Sequence, residues 1–95
     1  MEIIKTGIAG TLESCDASVT VERAAELELL VESADRRFAK SVRQAALAAL
    51  AELGVKTARV TVREKSALDC TVRARVLTAC LRAAGLESAP WEALK

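Results

Sequence analysis

The stretch Val55-Lys56-Thr57-Ala58-Arg59-Val60-Thr61-Val62-Arg63 alternates strictly over its second half. Ala58, Val60 and Val62 fall on one side, and Arg59, Thr61 and Arg63 on the other. Period two with β-branched apolar residues is the signature of a strand with one face buried and one wet. Immediately before it lies a segment of period 3.6. Phe38, Val42, Ala46, Ala49, Leu50 and Leu53 share one helical face, while Arg36, Lys40 and Arg43 lie largely elsewhere. Ser33 is placed to cap this helix, Asp35 to sit in its first turn and Gly54 to end it. Immediately after the strand, Ser66-Ala67-Leu68-Asp69 reads as a capping box that opens a second helix, and Gly85 closes that helix.

The second helix carries two apolar stripes. Leu68, Val72, Val76, Ala79 and Ala83 form one. Cys70, Ala74, Leu77 and Leu81 form the other, about 200° away at roughly 100° per residue. Burial on both sides, or a partner over one of them, accommodates such a helix; in so small a domain the second stripe is expected to face a partner. Upstream, Leu27, Leu29 and Val31 alternate with Glu26, Glu28 and Glu32, so Glu26–Ser33 reads as a strand despite Leu30. Gly10–Glu13 and Ser18–Glu22 read as two further strands joined by a turn at Ser14-Cys15-Asp16-Ala17, with Ser14 near the tip of the hairpin. The order is βββαβα. Two helices on one face of a small mixed sheet give an α+β fold, a two-layer α/β sandwich, with the first helix as the crossover between parallel third and fourth strands. Residues 1–95 are expected to form one domain.

Composition narrows the function. Apolar residues are 52% of the chain and aromatics 2%, so the core is built from Ala, Val and Leu and offers little stacking surface. The net charge of +1 supplies no field for nucleic acid or anionic membrane. No apolar run reaches membrane-span length, and Met1–Lys5 does not open a signal peptide. Cys15, Cys70 and Cys80 include no Cys-x-x-Cys pair and read as small apolar residues in a reducing, cytoplasmic setting. Histidine is absent, which removes the commonest general base, the Ser-His and Cys-His pairs and most zinc sites. The carboxylates Glu13, Asp16, Glu26, Glu28 and Glu32 read as solvated, and the basic run Arg36, Arg37, Lys40 and Arg43 reads as a solvated helix face. Gly7 and Gly10 are too sparse for a phosphate loop. Ser14 has nothing to take its proton and is therefore no nucleophile of its own. An exposed hydroxyl can still be modified by another enzyme, which requires access only.

Two blocks sharpen this. Ala9-Gly10-Thr11-Leu12-Glu13-Ser14-Cys15-Asp16 resembles the N-terminal signature of the citrate lyase acyl carrier protein family, the gamma subunit. Glu64-Lys65-Ser66-Ala67-Leu68-Asp69-Cys70 with Arg73-Ala74-Arg75 resembles its second block, and Ala89-Pro90-Trp91-Glu92 resembles its tail. The family usually has Ser at Cys15 and Gly at Ser66.

The resemblance implies a non-catalytic carrier subunit. Ser14 would bear a covalent 2'-(5''-phosphoribosyl)-3'-dephospho-CoA arm through a phosphodiester, installed by a dedicated prosthetic-group transferase. The arm would carry acetyl and citryl thioesters between the alpha (transferase) and beta (lyase) subunits of citrate lyase. Carriers of citramalate lyase and malonate decarboxylase use the same kind of arm, and an unmodified scaffold module is the alternative from another class.

Overall fold

The computed structural model describes residues 1–86. Its elements are β1 (Gly7–Gly10), β2 (Asp16–Glu22), β3 (Leu27–Ser33), α1 (Arg36–Glu52), β4 (Ala58–Lys65) and α2 (Asp69–Ala83). The order βββαβα and the α+β class match the sequence reading. The Ala89–Glu92 tail lies outside the described residues.

The sheet runs β1-β2-β4-β3. β1 pairs antiparallel with β2, β2 antiparallel with β4, and β3 parallel with β4. The parallel pair is joined by α1, as a parallel connection demands a long crossover. In register, Val19 faces Val62 and Val21 faces Val60 across the two central strands, and Leu29 and Val31 face Val60 and Val62 on the other side. These residues, with Ala17 and Ala58, form the inner face. Val42, Ala46 and Leu50 of α1 and Val72, Val76 and Ala79 of α2 close over it. The outer face carries Ser18, Thr20, Thr61 and the pairs Glu28–Arg59 (2.8 Å) and Glu32–Arg63 (3.1 Å). Glu28 and Glu32, read as solvated, are exposed and joined to these cross-strand arginines. Leu30, the residue that broke the alternation, stands on this outer face beside Thr61 and is exposed.

Several boundaries differ from the expectation, each for a local reason. The first strand is Gly7–Gly10, not Gly10–Glu13. A Cβ at Gly7 would fall within the Ala79 carbonyl oxygen and 2.5 Å from the Ala83 nitrogen, so only glycine lets α2 pack this close to β1. Gly10 turns the chain out of the sheet at φ +87°. Ala17, expected in the turn, is a fully buried strand residue. β1 pairing ends at Ser18, and the first two residues of β2 pair with β4 alone.

The caps also move. Asp35, not Ser33, caps α1: its carboxylate accepts from the Arg37 amide at 2.9 Å. The Ser33 hydroxyl instead donates to Glu64 and to the Asp35 carbonyl. No capping box forms at Ser66-Ala67-Leu68-Asp69. Ser66 adopts φ +59° and Leu68 becomes the cap position without a side-chain bond. Glu64 supplies what the box would have, accepting from the Ala67 amide at 2.9 Å, while Asp69 accepts from the Ser41 hydroxyl at 3.0 Å.

Two side chains change layers. Phe38, placed on the apolar face of α1, lies outside the core and is half exposed. Leu77, placed on the partner-facing stripe of α2, is buried together with Cys80, whereas Cys70 and Ala74 are exposed and Leu81 is intermediate. Leu77, the centre of the second stripe, therefore belongs to the core of the domain, while the stripe's other members stay wholly or partly open. Both open edges of the sheet are capped by guanidinium groups: Arg82 donates to the Ile8 carbonyl (2.7 Å) and Arg43 to the Leu29 carbonyl (3.1 Å). No helix among the described residues is long and apolar enough to cross a membrane.

Candidate functional site

The topology brings one end of every element together. The C-terminal ends of β1, β3 and β4, the N-terminal end of β2, and the first turns of α1 and α2 all lie at the same end. Ser14 sits there, in the exposed loop 11–15.

The loop is short, and hydrogen bonds tie it down on both sides of Ser14. The Asp16 amide donates to the Glu13 carbonyl at 3.1 Å, closing a four-residue turn with Ser14 and Cys15 at its centre. Cys15 holds φ +65°, the left-handed geometry that the third position of a type II turn requires. Cys15 also donates to the Lys65 carbonyl at 2.6 Å, which fastens the turn to the end of β4. On the near side, the Thr11 hydroxyl accepts from the Glu13 amide (3.3 Å) and donates to Asp16 (2.7 Å).

Asp16 is the hub. Besides Thr11 it accepts from the Ala17 amide at 2.7 Å, and Arg75 of α2 reaches it with two nitrogens, at 3.0 and 3.2 Å. The Thr11 hydroxyl first, then the Arg75 guanidinium and the Ala17 amide, hold the Asp16 carboxyl well below the ordinary carboxylate range. Arg75 also packs under the loop, since a Cβ on Gly10 would come 3.0 Å from its Cδ. The result is a rigid base carrying an outward hydroxyl.

Sequence reasoning placed Ser14 in an exposed turn, where it lies, but missed Arg75, Thr11 and the Lys65 carbonyl as the supports of that turn. Arg75 stood in the second resembling block, 59 positions from Asp16. Its place in that block was a signal; its target needed the fold. Glu13 is exposed and Asp16 faces Arg75, so these two flanking carboxylates do not converge. Among the described residues no group of acidic, Cys or His side chains could hold a metal ion.

The matches to known proteins cover this site and the fold around it. Residues 4–83 match the family model described as malonate decarboxylase delta subunit. The citrate lyase acyl carrier protein of Haemophilus influenzae (strain PittEE) is 40% identical, with 99% of each chain covered. The citrate lyase acyl carrier protein 2 of Salmonella typhimurium (strain LT2) is 42% identical over 99% of this chain and 100% of the relative. That of Streptococcus mutans is 40% identical over 97% and 93%. The chain belongs to the citrate lyase acyl carrier protein family. Membership agrees with the two sequence blocks, which form the Ser14 loop and the β4–α2 connection that supports it.

Proposed function

We propose that this chain is the acyl carrier subunit of a citrate lyase complex and that Ser14 is its attachment point. The observation that carries the reading is the Ser14 turn: an exposed serine on a loop fastened to the fold by the Cys15 amide and by the Thr11–Asp16–Arg75 bonds, within a family whose relatives are named acyl carriers. Attachment by a second enzyme needs a reachable hydroxyl on a fixed base. It does not need a neighbouring general base, and the absence of histidine from the sequence is no obstacle to it.

The residues fit a phosphodiester-linked arm of the 2'-(5''-phosphoribosyl)-3'-dephospho-CoA kind. Ser14 is exposed, and of the two carboxylates that flank it Asp16 is paired with Arg75 while Glu13 lies in solvent. Such an arm supplies a terminal thiol for acyl thioesters. The chain's own part is placement: it keeps the tether short, fixed and outward, so that the acyl group stays at high local concentration near the alpha and beta subunits. Residence in the cytoplasm follows from a CoA-derived arm and reduced thiols.

A second reading keeps the mechanism and changes the substrate. The family model described as malonate decarboxylase delta subunit favours malonyl in place of citryl groups. Intact-mass analysis of the chain from its native source tests both. A mass increase of the arm's size on the Ser14 peptide, lost in Ser14→Ala, supports the carrier; an active complex with an unmodified chain refutes it and leaves a scaffold. Assay of the purified complex on citrate, citramalate and malonate then assigns the substrate.

A further inference from the structure

A groove of about 440 Å³ opens beside the first turns of α1 and α2, lined by the apolar Phe38, Ala67 and Leu68 together with Ser66, Asp69 and Glu64, whose carboxylate is taken up by Ser33 and the Ala67 amide. Leu68 is 69% exposed and Phe38 52%. These are among the most exposed large apolar side chains of the described residues, and they lie together at the Ser14 end. The groove also adjoins the loop covalently and through one hydrogen bond. Ser66 follows Lys65, whose carbonyl accepts from the residue after Ser14. Standard backbone dimensions then put the Ser14 and Ser66 Cα atoms no more than about 14 Å apart.

We propose that the nucleoside portion of the arm, rather than its whole length, seats in this groove against Phe38. The inference rests on the carrier reading above. In an arm of that constitution a phosphate and a ribose come directly after the serine oxygen, the adenosine next and the thiol last. The first neutral, flat group to arrive is therefore the adenine, and the groove that contains Phe38 begins at Ser66, beside the residue that holds the loop.

The charges sort the arm in the same sense. Asp69 at the groove edge repels phosphates. Arg36 and Lys65 stand exposed at the same end and attract them. Arg37 lies 5.7 Å from the centre of the Phe38 ring but is held by Asp35 at 2.7 Å, so the phosphates adjoining a base stacked on Phe38 fall to Arg36 and Lys65. The base then anchors the nucleotide, and only the pantetheine part swings.

The test uses the full chain, co-expressed with its prosthetic-group transferase and confirmed as loaded by intact mass. Proton NMR should show contacts between the adenine protons and the Phe38 ring, with shifted amides at Ala67 and Leu68. Phe38→Ala, at an exposed position, should keep the fold and the added mass but lose these contacts. Leu68→Ser should weaken them. Adenine resonances with the narrow lines of free nucleotide in a loaded chain, and no shifts beyond the loop, overturn the inference and leave the carrier reading intact. A chain that stays unmodified with active transferase overturns the carrier reading, and the inference with it.

Discussion

Arg75 grips both carboxylate oxygens of Asp16 from the opposite layer of the fold, at 3.0 and 3.2 Å. This tie, with the Thr11 hydroxyl, fixes the loop that carries Ser14 to α2. Because the folded carboxyl is held below its ordinary value of 3.8, its contribution is fully present above that pH and fades only as strongly acid conditions protonate it. Carboxyl-carbon NMR should therefore show Asp16 still ionised well below pH 3.8. Arg75→Gln should raise the Asp16 midpoint toward the ordinary range and speed hydrogen exchange at Cys15 and Ala17. Arg75→Lys should restore the charge but not the two-point geometry, giving intermediate exchange. Identical exchange in all three proteins would remove Arg75 from its anchoring role.

Gly7 is the second test, because it decides how near α2 lies to the sheet. Gly7→Ala places a methyl against the backbone at Ala79 and Ala83, atoms that cannot rotate away. Overpacking of this kind costs about 1–3 kcal/mol. For a domain of this size the melting temperature should fall by roughly 4–8 °C for each kcal/mol. A melt that is unchanged would mean that α2 can slide outward freely.

Ser66→Gly is expected to act in the opposite direction. Ser66 holds φ +59° and makes no capping bond, so its side chain imposes a cost that glycine avoids. Left-handed geometry disfavours an L-residue by about 1–2 kcal/mol, offset in part by glycine's extra freedom when unfolded. A net gain of up to about 1 kcal/mol should appear in chemical denaturation. A loss would show that the Ser66 hydroxyl has a role that its hydrogen bonds do not reveal.

The three thiols separate by layer. Cys15 and Cys70 are exposed, whereas Cys80 is buried against the core. Burial pushes the Cys80 thiol up to about 12. Native protein at pH 8 should release two equivalents with a disulfide reagent at once, and the third only on unfolding. The sign follows for stability too: the neutral Cys80 favours the fold below the ordinary thiol range, and this preference is lost as pH rises toward 12. Rapid reaction of all three thiols in the native state would place Cys80 at the surface.

The parts of the fold that could be read in advance were those where burial and period coincide. β4 alternates because one face meets two helices and the other meets water. Val42, Ala46, Ala49 and Leu50 showed the face of α1 by the same logic. β1 could not be read this way. Gly7-Ile8-Ala9-Gly10 has no apolar pattern, since its inner positions are small so that α2 can approach. Helix caps were legible in type but not in position, because Glu64, a buried strand residue, took over the role that Ser66 and Asp69 were expected to share.

The second stripe of α2 misled for a related reason. A helix pressed between a sheet and a second helix has two inward faces, so Leu77 serves the core. Leu77→Asp is accordingly a substitution that unfolds the domain and not one that merely detaches a partner. At the site, Ser14 could be found from local turn residues and the family block. Its anchors could not, since Arg75 and the Lys65 carbonyl reach it only through the sheet order β1-β2-β4 and the packing of α2.

The guanidinium groups at Ile8 and Leu29 have a bearing on how such subunits gather. An unpaired strand edge invites a neighbouring chain to extend the sheet, and identical copies crowded into one large assembly would meet edge to edge often. With Arg82 and Arg43 occupying a carbonyl on each border, copies held at high density can jostle without zipping into fibrils. Each border then resists the sheet extension that would join one copy of the chain to the next.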